Sequence, residues 1–159
     1  MQKIRVYLGD LVHTWEKIST WVMPLNIGLI GAYANKELGS QVEISLFKCP
    51  TKMINAIQSS PPNVVALSHY VWNVNLNNRV FEVSKNLDSE ILTVGGGPLF
   101  TIHNAHQEII DKFFGAYKNC DAWVLNQGEK GFVALLKVLL GNNVQTSRVC
   151  EPVEGCITF

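Results

Sequence analysis

A chain of 159 residues has the size of one ordinary domain, and its 47% apolar against 16% charged residues exclude a disordered polypeptide. Its 13 basic and 13 acidic side chains balance to zero with no Lys or Arg run, which excludes nucleic acid or a polybasic membrane contact held by charge. No apolar run approaches the roughly 18–20 residues of a membrane helix, and Met1-Gln2-Lys3 leads straight into a strand-like segment, so a cytoplasmic protein is expected.

Ile4–Leu8 is β-branched and aromatic-rich and breaks at Gly9-Asp10, the signature of a first strand. Leu11–Trp21, with His13, Thr14, Trp15 and Trp21, has no clean period and is expected to be a long loop. Pro24 suits the first turn of a helix, which Ile27, Ile30, Ala34 and Leu38 carry to a stop at Gly39. Gly28, Gly31 and Ala32 would let that helix lie close to a sheet. Val42–Phe47 is a second strand, and Pro50-Thr51 open a short helix with Met53, Ile54 and Ile57 inward.

The breaker cluster Ser59-Ser60-Pro61-Pro62-Asn63 precedes a fully apolar third strand, Val64–Leu67, which ends in Ser68-His69-Tyr70. A helix over about Asn75–Leu87 presents Leu76, Val80, Val83 and Leu87 on one face. The fourth strand, Ile91–Val94, stops in Gly95-Gly96-Gly97-Pro98. Three glycines at a strand end fit either a plain tight turn or a backbone that a ligand must approach closely.

Asn104 and Gln107 resemble a capping box, opening a helix with Ile109, Ile110, Phe113 and Phe114 inward and Gly115 as its stop. Ala122–Leu125 is the fifth strand, followed by Asn126-Gln127-Gly128-Glu129. Phe132, Leu135, Leu136, Leu139 and Leu140 give the clearest amphipathic spacing in the chain. Residues 145–159 are mixed, an edge ribbon or a linker. Cys49, Cys120, Cys150 and Cys156 have neither zinc-ligand spacing nor a disulfide framework.

Five short apolar strands alternating with helices predict an α/β fold, a doubly wound five-stranded parallel sheet of flavodoxin-like, Rossmann-like type. Ligands of such sheets sit beyond the carboxyl ends of the strands, at Gly9–Trp15, Ser68–Trp72, Gly95–Pro98 and Gln127–Glu129. The fold alone does not choose a function. A phosphorylated receiver needs an acidic cluster after the first strand, an Asp after the third and a Lys after the fifth. Those places hold the lone Asp10, Ser68 and Gln127. Gly9–Thr14 supplies neither the hydroxyl-rich phosphate loop of a flavodoxin nor the G-x-G-x-x-G of a dinucleotide fold.

Ser68 in A-L-S-H-Y with the glycine turn on the next strand resembles the S-x-L … G-G signature of cobalamin-binding domains, with Tyr70 where that signature has Leu. Gly9–Thr14, Pro24–Tyr33, Ser60–Asn73, Thr93–Pro98 and Gln127–Phe132 together are similar to the N-terminal cobalamin-binding domain of cobalamin-dependent radical S-adenosylmethionine enzymes. The similarity runs to about Leu140. It implies a cobalamin domain over residues 1–144. Residues 145–159 would lead to a missing barrel domain, which carries the iron–sulfur cluster and S-adenosylmethionine.

The resemblance further implies a cofactor site at Asp10, Leu11, His13 and Thr14 under the corrin, and at Ser68 and Gly95, Gly96 and Gly97 along the nucleotide tail. His69, Tyr70 and Trp72 would meet the corrin's amides and edge, and Gln127, Gly128 and Glu129 would complete the site. The cobalt-ligating D-x-H-x-x-G is not matched, since Asp10-Leu11-Val12-His13 has another spacing and no following glycine. Base-off binding without histidine is therefore expected, with His13 either the loop's candidate cobalt ligand or a loop histidine bonded to backbone. No acid, base or nucleophile is assigned. The alternative is a flavodoxin-like small-ligand or protein-interaction module with no corrin.

Overall fold

The computed structural model describes residues 3–13, 23–100, 106–141, 149 and 152–158. Thr14, Trp15, Trp21, Asn104 and Cys150, all given readings above, lie outside them. The elements run β1 (Ile4–Gly9), α1 (Leu25–Leu38), β2 (Val42–Phe47), α2 (Pro50–Ser59), β3 (Val64–Ser68), α3 (Val74–Leu87), β4 (Leu92–Gly96), α4 (Gln107–Ala116), β5 (Ala122–Val124), α5 (Gly128–Gly141) and β6 (Cys156–Thr158). The sheet order is β2-β1-β3-β4-β5-β6. The five expected strands are parallel, and a sixth pairs antiparallel with β5 at the edge.

The period-two alternation of side chains divides the core between the two faces of the sheet. Val6, Leu8, Val64, Ala66, Val94 and Val124 pack under α1 and α5. Tyr7, Val65, Leu67 and Trp123 pack under α2, α3 and α4. This division follows from right-handed crossovers. The chain moves one way from β1 to β2 and the other way from β2 to β5, so α1 and the next three helices fall on opposite faces. The direction reverses between β1 and β3, and a crevice opens there at the carboxyl edge.

Helix ends follow local chemistry. Pro50 sits in the first turn of α2, where its missing N–H costs nothing. Gly39, with φ 54°, turns the chain out of α1 while its N–H bonds to Asn35. Asn63 ties the chain before β3 to β1, accepting from Arg5 N–H at 2.8 Å.

Some helix faces differ from the sequence expectation. Val80 is buried as expected, but Leu87 is exposed, and α3 buries Asn77, Phe81 and Ser84 beside Val80. Polar residues take part in that face because they bond backbone, Asn77 to Ser68 and Ser84 to Val80. In α4, Ile109 is exposed, Phe114 is buried, and the helix continues through Gly115 to Ala116. Gly128 and Glu129 belong to the first turn of α5 rather than to a loop after β5.

Candidate functional site

A cavity of about 520 Å³ opens at the carboxyl edge between α1 and α5. That places it in the size class of small-molecule sites. Leu8, Ala66 and Val94 form its floor, and Ile30 and Phe132 stand on its helical walls. Its polar side chains come from Asn26 on α1, Ser68 and Tyr70 at the β3 end, and Asn126, Gln127 and Glu129 between β5 and α5.

Ser68 is the last residue of β3, paired in register with Gly96. Its Oγ receives a hydrogen bond from Asn26 Nδ2 at 2.9 Å, and the same Nδ2 donates to Tyr70 Oη at 3.1 Å. Ser68 is held from behind as well. Its carbonyl accepts from Asn73 Nδ2 at 3.0 Å and Asn77 Nδ2 at 2.9 Å. Asn73 also donates to the Leu11 carbonyl at 3.1 Å and accepts from Tyr70 N–H at 2.9 Å. One buried side chain thus couples the loops after β1 and β3.

The glycines divide by cause. A Cβ on Gly95 would lie 2.3 Å from the Trp123 ring, so its bareness belongs to the core on the far face. Gly96 stands on the cavity side, where a Cβ would meet only Val124, its O at 3.4 Å and its Cβ at 3.8 Å; its missing side chain leaves the cavity open. Gly97 has φ 100°, and a Cβ there would crowd the His69 backbone at 2.8 Å. Both readings of the turn therefore have a physical basis, at different residues.

Of the sequence candidates, Ser68, Tyr70, Gly95, Gly96, Gly97, Gln127, Gly128 and Glu129 line this cavity. Gly128 allows the start of α5 to approach Ile30 of α1, since a Cβ would fall 3.0 Å from Ile30 Cδ1. Glu129 in the first turn complements the positive end of the helix dipole.

The other candidates sit elsewhere. Leu11 is core. Asp10 is half-buried beside β2, its N–H bonded to the Phe47 carbonyl at 3.0 Å. Desolvation raises its carboxyl above the usual 3.8, against the opposing pull of Lys48. His13 is exposed, with Nε2 3.1 Å from the Trp72 carbonyl, the backbone-bonded arrangement of a loop histidine. Trp72 stands 60% exposed and stacks on Tyr70, with ring centroids 4.6 Å apart.

His69 points away from the cavity. It is 1% exposed, packed between Phe81 and Trp123, with Nδ1 bonded to the Leu67 carbonyl. Burial lowers its pKa to about 4, so it is neutral at pH 7. No atom of its ring is placed to meet a corrin amide.

Sequence reasoning missed Asn26, Asn73 and Asn77. Asn26 stands inside the matching stretch Pro24–Tyr33 as one polar residue at the apolar start of a helix, the signal that would have found it. Among the described residues no group of His, Cys, Asp and Glu is placed to hold a metal, and no helix is long and apolar enough to cross a membrane.

No protein-family model matches the chain. A curated relative, 2-(S-pantetheinyl)-carbapenam-3-carboxylate methyltransferase of Streptantibioticus cattleyicolor, is 28% identical over 135 residues, 80% of this chain and 18% of its own length. A cobalamin-dependent S-adenosylmethionine radical enzyme, OxsB, solved with aqua-cobalamin bound, aligns with TM-score 0.69 at 17% identity over 97% of this chain and 20% of that one. A cobalamin-binding protein from Desulfitobacterium hafniense aligns with TM-score 0.58 at 11% identity, over 86% of this chain and 58% of that one. The receiver domain of NarL from Mycobacterium tuberculosis aligns with TM-score 0.53 at 16% identity, over 86% of this chain and 98% of that one. At these identities the structures show the fold alone. The chain spans about a fifth of the length of OxsB and of the curated relative.

Proposed function

We propose that the chain is a cobalamin-binding domain that holds the cofactor base-off, with the nucleotide tail in the cavity between α1 and α5. The cavity itself carries this reading: apolar walls for a heteroaromatic base, the hydroxyls of Ser68 and Tyr70 in its lining, and Gly96 leaving the floor bare. The receiver likeness supplies no competing site, because Ser68 and Gln127 stand where phosphoryl chemistry needs an Asp and a Lys. A corrin-free binding module would use the same cavity, but two cobalamin proteins among the fold neighbours and the five matching sequence stretches favour the corrin.

Ser68 and Tyr70 would bond the tail, Gly96 and Gly97 would let it pass, and the start of α5 would face it. Thr14 belongs to the proposed site by sequence alone. Trp72 and the loop from Asp10 to His13 would border the corrin. When bound, cobalamin supplies a cobalt centre that carries a methyl group or tunes radical chemistry. The chain's own contribution is binding and orientation. The parent would be a longer cytoplasmic enzyme of the methyltransferase or tetrapyrrole-cyclase kind. Its radical S-adenosylmethionine barrel would hold the iron–sulfur cluster on a C-x-x-x-C-x-x-C motif.

The test is direct. Purified protein is mixed with hydroxocobalamin, passed through a desalting column and examined in the visible range. Retained corrin with a base-off spectrum is expected. A protein fraction free of corrin overturns the proposal.

A further inference from the structure

Asn26 lies in the first turn of α1, and its side-chain amide stands between two hydroxyls of the β3 end. An amide nitrogen has two protons, and here both are used, one on Ser68 Oγ and one on Tyr70 Oη. Each hydroxyl therefore receives a bond and keeps its own proton to give. Among the described residues neither has an acceptor of its own.

The opposite amide orientation would be the worse one. Asn26 Oδ1 is buried without a partner. Turning the amide over would put two N–H donors in that place and a single oxygen between the hydroxyls. One unfilled carbonyl costs less than two unfilled donors.

We infer that Asn26 sets the hydrogen-bond polarity of the cavity, making Ser68 and Tyr70 donors so that it selects an occupant presenting acceptors. An unprotonated ring nitrogen or a phosphodiester oxygen meets that requirement. The inference rests on the cobalamin reading and gives it a chemical form, since the nucleotide tail carries both kinds of acceptor. Cobinamide, the same corrin without the nucleotide, carries neither there. Asn26 acts through the two hydroxyls and is a positioning residue.

Asn26→Asp keeps size and shape but replaces the donor with a carboxylate that only accepts, drawing both hydroxyl protons toward itself. Wild type should bind hydroxocobalamin at least about tenfold more tightly than aquacobinamide. The variant should bring the two within about threefold by weakening hydroxocobalamin alone. A purely structural role would weaken both ligands together, and that result overturns the inference. So does unchanged hydroxocobalamin affinity in the variant, which would mean that the amide sits the other way. Equal binding of both ligands by wild type defeats the inference and the placing of the tail in the cavity, while leaving corrin binding itself intact. Binding of neither defeats both. Tyr70→Phe removes one donated proton and keeps the ring, so it should lower the preference by itself and add nothing in the Asn26→Asp background. Should Asn26→Asp fail to fold, an unchanged preference in Tyr70→Phe overturns the inference.

Discussion

Gly95 and Trp123 are register partners on β4 and β5, and the indole ring occupies the space that a side chain on Gly95 would need. The neighbouring Gly96 has no such occupant and borders the cavity. Substitutions one residue apart should therefore fail in different ways. Gly95→Ala forces its methyl into a fully buried ring and should cost about 3 kcal/mol in urea unfolding, with binding kept in whatever fraction folds. Gly96→Val should unfold within about 1 kcal/mol of wild type yet retain no hydroxocobalamin after desalting. Equal stability of the two variants would remove the distinction.

Asn73 is a second place where structure and site meet. Its side chain donates to Leu11 and Ser68 carbonyls and accepts from Tyr70 N–H, and it is wholly buried. Asn73→Ala takes the stated partner from the Leu11 carbonyl and the Tyr70 N–H, leaves Asn77 as the donor to the Ser68 carbonyl, and should lower stability by about 2–3 kcal/mol. Asn73→Asp should be at least as damaging, since it sets a carboxylate against two carbonyl oxygens. A milder effect of Asp than of Ala in urea titration would contradict these bonds.

The strands and their order were legible because each has a short apolar run closed by turn residues, and every crossover follows one hand. The sixth strand was legible only as one of two readings of residues 145–159, an edge ribbon or a linker, since Cys156-Ile157-Thr158 is too short to show a period. Its place depends on Gly131, where a Cβ would lie 3.0 Å from the Gly155 carbonyl. Ser68 and Gly96 were legible as strand ends. Asn73 and Asn77 behind them were not, because polar residues just before and within a helix read as solvent-facing unless their backbone partners are known. His69 misled for the mirror reason. A histidine beside the site serine reads as a ligand contact, but its alternation on the strand turns it to the Trp123 face.

His13 tests the base-off reading. Its Nε2 stands beside the Trp72 carbonyl, and the loop keeps other ties through Asn73. His13→Ala should leave the visible spectrum of bound cobalamin unchanged and reduce retention by less than about threefold, as expected for the loss of one exposed bond. A spectrum that shifts between wild type and variant would establish a histidine–cobalt bond.

His69 predicts an acid limb of stability that starts well above the carboxylate range. The folded pKa of about 4 lies below the ordinary 6.5 because burial between Phe81 and Trp123 disfavours the imidazolium. Above 6.5 both states are neutral at this residue and it adds no pH dependence. Between 6.5 and 4 the unfolded chain takes up a proton that the folded chain refuses, so stability falls as pH falls, by an amount on the order of 3 kcal/mol across the window. Below 4 both states are protonated and the loss levels off. Asp10, whose raised pKa works the other way, partly offsets the lower end. Urea titrations from pH 7.5 to 4.5 should show this slope in wild type. His69→Phe, which fills the same aromatic slot without a titrating group, should flatten it even if it lowers stability at pH 7 by losing the bond to Leu67. An equal slope in the two proteins would mean that the acid limb arises from other groups.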